Sequence, residues 1–298
     1  MQEYIGEFSA LLVAVFWTVT ALAFERASLR IGSLSLNVIR LFIGLFFLSI
    51  FVWIRTGMPF PAGATQFNWI WLTISGLVGF VFGDLFLFKS YSMIGSRFAM
   101  LIMTLAPPMA AITGWIMLGE RLSPMNIFGM FLTIMGISMA IFVRKEGKKG
   151  LSMNKSLKGL LFAFLGAAGQ GIGLVLSKYG MQEYDPFAAT QIRLIAAIVG
   201  FAILTTYLGR WKNVLLATRN RKGMSATALG SFFGPFLGVS FSLLAIRYTE
   251  TGIAATIMAI VPILIIPPVV ILYKEKVKPL EIMGAVISIT GVALLFLK

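Results

Sequence analysis

One carboxylate lies deep within an apolar stretch of this sequence: Asp84, in GFVFGDLFLFK. An ionisable group in hydrocarbon is costly and usually faces a cavity, where it contacts a ligand or carries a proton. A structural role is the alternative, with Asp84 held by hydroxyls or by a cation such as Lys89 or Arg97 near the end of the same hairpin. Two arginines, Arg40 and Arg193, each stand six or seven residues into an apolar stretch, roughly 10 Å along a helix axis. Snorkelling to the headgroups is the simpler expectation for each alone. Their recurrence at matching places also suits residues that line opposite vestibules or clamp an anion.

Uncharged polar groups add to this set. Gln170 sits in GAAGQGIG, where small residues permit close helix approach, and Trp17, Thr18 and Thr20 occupy the matching level of the first apolar stretch. Thr104 precedes LAPPMAA, which holds Pro107 and Pro108. IVPILIIPPVV holds Pro262, Pro267 and Pro268, and Pro235 adds another interruption. Each proline frees a backbone carbonyl that lipid cannot satisfy, so kinks at Pro107 and Pro262 should face protein or a wet cavity and are candidate hinges. Glu120 in LGERLSP and Glu275 in YKEKVKP sit at interfaces, where pairing in a tight turn is the expected role.

The residues that are missing limit the chemistry further. The chain has no Cys and no His, which removes thiolate nucleophiles, imidazole bases, disulfides and their metal ligation. No cofactor or metal is implied. An intramembrane enzyme would lack the usual acid and base pair. A channel would more naturally show rings of charge or a carbonyl-lined filter. A scaffold needs neither kinks nor duplicated architecture.

Helices must position these groups. Of 298 residues, 58% are hydrophobic and 12% charged, with a mean hydropathy of +0.92, against about 25% charged in a soluble domain. Stretches of about 20 apolar residues cross a bilayer as helices, and ten are expected: 6–24, 34–54, 69–90, 98–118, 125–143, 157–177, 187–208, 225–246, 252–273 and 279–297. The expected fold is therefore all-α and integral to a membrane, without barrel strands. The first stretch lacks the basic start and cleavage site of a signal peptide and should be retained.

The second half repeats the first. At an offset of 153, Gly6 meets Gly159 and Arg40 meets Arg193. At 155, Gly79 meets Gly234, Gly83 meets Gly238, Pro107 meets Pro262, Glu120 meets Glu275, Gly129 meets Gly284 and Gly136 meets Gly291. Glycine and proline fix backbone shape, so one fold is used twice. Five spans per copy force the second into the bilayer upside down, an arrangement typical of transporters. The divisions are 1–143, a basic linker over 144–156, and 157–298. Asp84 faces the apolar Val239 in this register, and Gln170 faces Trp17.

A formal charge of +14 is spread over short loops and suits anionic lipid rather than nucleic acid. Of the 25 Lys and Arg, 18 lie in or beside the odd-numbered loops, which by the positive-inside rule puts both termini outside.

At these residues the chain resembles the drug/metabolite transporter superfamily, specifically the EamA family of ten-helix permeases built from two EamA domains. The marks are Pro107 and Pro262, the exits Glu120 to Pro124 and Glu275 to Pro279, and the glycine pairs Gly129 with Gly136 and Gly284 with Gly291. The resemblance implies a multi-pass carrier in the cell membrane that exports small metabolites such as amino acids, or drugs, through a cavity between the halves. It also implies both termini in the cytoplasm, against the charge count, so orientation stays open. Glu7 and Glu25 lie at the ends of the first helix, unlike the embedded Glu of small multidrug relatives, so proton coupling is not inherited: it would fall to Asp84, with passive exchange as the alternative. Asp84→Asn should then remove any pH dependence and leave the protein folded. The expected site is Trp17, Thr18, Arg40, Asp84, Thr104, Gln170 and Arg193, lined by helices 1, 3, 4, 6, 8 and 9. The expected partners are a small-molecule substrate, lipid and protons, in a monomer or dimer.

Overall fold

The computed structural model describes residues 4–119, 123–144, 151–153, 156–248, 254, 257–274 and 277–294. Helix α1 (Ile5–Ile31) runs seven residues past its expected end and turns through Gly32 into α2 (Ser33–Thr56). A Thr65 and Asn68 capping box starts α3 (Gln66–Gly76), which passes into a π-helical segment, Leu77–Gly83, and then into α4 (Asp84–Ile102). A 3₁₀ turn, Met103–Leu105, leads to α5 (Ala106–Leu118), and α6 (Pro124–Ile141) follows. Strands β1 (Phe142–Arg144) and β2 (Leu151–Met153) pair antiparallel across the basic linker, a small ribbon that the sequence did not suggest.

The second repeat begins with α7 (Leu157–Met181), capped by Ser156, and α8 (Pro186–Tyr207), capped by Asp185 through the Phe187 and Ala188 amides. The short α9 (Trp211–Ala217) leads to α10 (Arg221–Ser231), a second π-helical segment, Phe232–Gly238, and α11 (Val239–Tyr248). Then come α12 (Val261–Leu264), α13 (Ile266–Tyr273) and α14 (Pro279–Leu294). Glu120 and Glu275 lie outside the described residues.

Among the described residues, six stretches are long and apolar enough to cross a membrane, and three shorter apolar helices accompany them. Gln66–Met117 runs for 52 residues, and a straight helix of that length would exceed twice the roughly 30 Å of hydrocarbon. It folds back at Gly95, whose φ of 81° and ψ of 157° interrupt α4. Gly32, between α1 and α2, adopts nearly the same backbone, with φ 78° and ψ 151°. That region is essentially closed to residues with a Cβ. Gly95→Ala should therefore cost about 1–3 kcal/mol, read as a lower melting temperature in detergent; an unchanged midpoint would mean that the turn relaxes.

The repeat is visible in the packing. The two π segments, 77–83 and 232–238, coincide at the offset of 155 read from the sequence. In the first, Asp84 N–H bonds to Gly79 O; in the second, Val239 N–H bonds to Gly234 O, the same five-residue step. The last helices of the copies cross through glycine. A Cβ on Gly136 would stand 2.5 Å from Gly284 O, and one on Gly291 would stand 2.6 Å from Gly129 O. Since Gly129 matches Gly284 and Gly136 matches Gly291, these contacts exchange under a two-fold operation. Moving up α6 from 129 to 136 means moving back along α14 from 291 to 284, so these two matching helices run in opposite directions.

Candidate functional site

The first π segment builds the site. Opening the helical ladder to a five-residue step widens the backbone and frees carbonyls, and such segments often mark functional places. Gly83 lets α7 press against this segment: a Cβ on Gly169 would lie 2.6 Å from Gly83 Cα. That approach brings Gln170 Nε2 to 3.2 Å from Gly79 O and 2.5 Å from Asp84 Oδ1, donating to both.

On its other oxygen Asp84 accepts from Arg40 Nη2 at 2.5 Å. Asn37, one turn before Arg40 on α2, accepts from Arg40 Nε at 3.1 Å and donates to Ser33 O and, at 3.4 Å, to Asp84 O. Arg40 and Asp84 are 2% and 4% exposed. The guanidinium lies 4.7 Å from the Phe88 ring centre and is also near Phe80 and Phe24. Arg40 does not snorkel. A buried guanidinium is tolerated here because a carboxylate, an amide oxygen and aromatic faces replace water.

Arg193 is buried as well, at 4% exposure. Helix α8 meets α3 where Gly76 has no side chain; a Cβ there would fall 2.5 Å from Arg193 O. This crossing sets the guanidinium 4.7 Å from the Phe80 ring centre. Phe80 therefore touches both repeat-equivalent arginines. Unlike Arg40, Arg193 has no hydrogen bond or ion pair among the described residues, and its buried Nε is unsatisfied.

These groups face one cavity of about 160 Å³ between the two repeats, whose lining includes Trp17, Thr20, Phe24, Tyr91, Thr104, Pro107, Pro235, Ser242 and Pro262. Of the residues singled out in the sequence, Trp17, Arg40, Asp84, Thr104, Gln170, Arg193, Pro107 and Pro262 line it. Thr18 does not; its hydroxyl donates to Ala14 O at 2.8 Å, and Thr20, two residues on, takes its place at the wall. Lys89 is exposed, and Arg97 pairs with Glu281 instead, so neither suggested partner holds Asp84. The expected spans 34–54 and 187–208, absent from the expected lining, enter through Arg40 on α2 and Arg193 on α8. Asn37, Phe80 and Tyr91 were missed. Asn37 was within reach, since its spacing of three from Arg40 places both on one helix face.

Pro107 and Pro262 begin their helical segments after tight turns, Met103–Leu105 in one copy and 257–260 in the other. Both are breaks in the helix at the cavity wall. Ties between the repeats flank the cavity. Arg55 pairs with Asp185 and Asn68 donates to Gly180 O at one end; at the other, Arg97 pairs with Glu281 and Arg26 stacks 4.9 Å from the Tyr273 ring centre.

The model of the EamA-like transporter family matches residues 4–142 and again 157–297. A crystal structure of a protein 19% identical to this chain covers 98% of it and 95% of its own length, with a TM-score of 0.62, which shows a shared fold. No curated protein matches the sequence.

Proposed function

Because the chain belongs to the EamA-like transporter family, and is thus a multi-pass membrane protein of the drug/metabolite transporter type, we propose that it exports small metabolites such as amino acids, or drugs, across the cell membrane. In this reading ten spans form two inverted five-helix halves, and the halves alternate the access of a midplane site. The observation that carries it is the cavity between the repeats, apolar in its walls and centred on Arg40, Asp84, Gln170 and Arg193. Polar groups at membrane depth are retained where they meet a solute, and transporter sites lie at repeat interfaces beside broken helices. The ties at the two ends of the cavity, Arg55 with Asp185 and Arg97 with Glu281, are the contacts that opening on each side would break. Proton coupling through Asp84 requires release of the carboxylate from Arg40 and Gln170 during the cycle, since both of its oxygens are engaged.

The absence of cysteine makes a direct test available. Met100 and Leu174 both line the cavity, Met100 three residues from the Arg97 that pairs with Glu281 and Leu174 six residues before the Gly180 that accepts from Asn68, so they lie towards the two sets of ties. Single cysteines at these positions should label with an impermeant maleimide from opposite sides of a vesicle. A transported solute should raise labelling at one and lower it at the other. Reaction of both from the same side in every condition would contradict alternating access, and catalytic turnover without solute counterflow would contradict a carrier altogether.

A further inference from the structure

We propose that the cavity between the repeats is a receptor for small organic monoanions, with Arg193 holding a carboxylate and the aromatic wall seating an apolar body. This rests on the transporter reading of the same site and narrows its cargo. Among the described residues, the charged members of the lining are Arg40, Arg193 and Asp84, which leaves one positive charge in excess among them. Asp84 is engaged by Arg40 and Gln170, one oxygen each, so it presents little to an ammonium group. Arg193 is the reverse case, a guanidinium that is 4% exposed, has no hydrogen-bond or ion-pair partner among the described residues beyond its contact with the Phe80 ring, and lines the cavity. An unpaired buried cation is strongly unfavourable. An anion in the cavity supplies the missing charge, and a planar carboxylate matches the fork of the guanidinium.

The threonine and serine hydroxyls of the lining do not compete for that role. The Thr20, Thr104 and Ser242 hydroxyls donate to Phe16 O, Leu101 O and Val239 O of their own chain turns. Their hydrogens are committed, and Arg193 is left as the charged donor. Gly79 keeps room for it: a Cβ there would stand 3.2 Å from Arg193 Nη2. The body of the ligand meets Trp17, Phe24, Phe80, Phe88 and Tyr91. The cavity measures about 160 Å³, and an apolar cavity of about 150 Å³ accepts benzene. One ring with a short acidic arm is the matching size. A dianion would overshoot the single excess charge.

Calorimetric titration of the purified full chain in detergent tests this with benzoate, phenylacetate and 3-phenylpropionate, each beside its amide and the amine of equal length. At least one carboxylate should bind about tenfold or more tightly than its amide and amine, the usual worth of a charged hydrogen bond. Arg193→Gln should erase that preference and Arg193→Lys should keep part of it. Gly79→Ala, which crowds the guanidinium, should weaken the carboxylate alone. If Arg193→Gln fails to fold, the wild-type series and Gly79→Ala still decide. No preference for any carboxylate, a preference for an amine, or a preference intact in Arg193→Gln overturns the proposal. Labelled flux in proteoliposomes reads the transporter reading separately. Carboxylate binding without counterflow sinks transport and leaves the anion site standing; saturable counterflow of an amine, unchanged by Arg193→Gln, does the opposite.

Discussion

Arg40→Met and Asp84→Asn should each destabilise the folded protein by about 3–5 kcal/mol, while the double variant should recover most of that loss. The two groups meet at 2.5 Å with almost no solvent contact. Removing one leaves the other charged and desolvated, and that orphaned charge dominates the cost. Removing both costs much less, because the amide oxygen introduced by Asp84→Asn can still accept from Gln170 and a methionine fills the space among Phe24, Phe80 and Phe88. The singles should also differ. In Arg40→Met, Asp84 still shares the cavity with Arg193, whereas Asp84→Asn leaves two arginines and no carboxylate. Asp84→Asn is therefore the worse of the two, which adds a stability cost to the expectation that it leaves the protein folded. Chemical denaturation in mild detergent measures the cycle, and additive losses in the double variant would show that the pair is not coupled.

How far the site could be read in advance depended on range. Glycine and proline act on local backbone shape, so their recurrence exposed the repeat and the helix breaks at Pro107 and Pro262, and it marked the glycines of the last helices without showing that those helices cross. The π segments lay inside the same recurrence, at LVGFVFG and FFGPFLG, but a ladder shift leaves no residue signature beyond its glycines. Pairing across helices was hidden. Arg40 and Asp84 are 44 residues apart and Gln170 is another 86 from Asp84, and nothing local distinguishes an arginine that snorkels from one turned inward. Thr18 and Thr20 differ by two positions, about 200° around a helix, and that rotation decides which of them meets the cavity.

Alanine at Gly136, Gly284 or Gly291 should each lower stability by about 1–3 kcal/mol or more, and Gly136→Val should prevent folding. The argument is distance. A Cβ at Gly136 would lie 2.4 Å from Ser288 N and 2.5 Å from Gly284 O; at Gly284, 2.5 Å from Gly136 O; at Gly291, 2.4 Å from Thr133 N. All of these are backbone atoms, so relief requires α6 and α14 to separate rather than a side chain to turn. Apolar lipid supplies no hydrophobic force to hold them together once close packing is lost. The crossing also carries polar contacts. Thr133 Oγ1 donates to Gly129 O and reaches Ser288 O at 3.3 Å, and Thr104 and Ser288 share a hydroxyl bond at 3.1 Å. Thr104 lines the cavity, so parting the final helices reaches the site through Ser288. Gly79→Ala is the control, since its nearest neighbour is the Arg193 side chain at 3.2 Å, an atom that can move. The expected pattern is a lower melting temperature at the three crossing glycines and a near-native one at Gly79; equal effects at all four would refute a backbone-limited crossing.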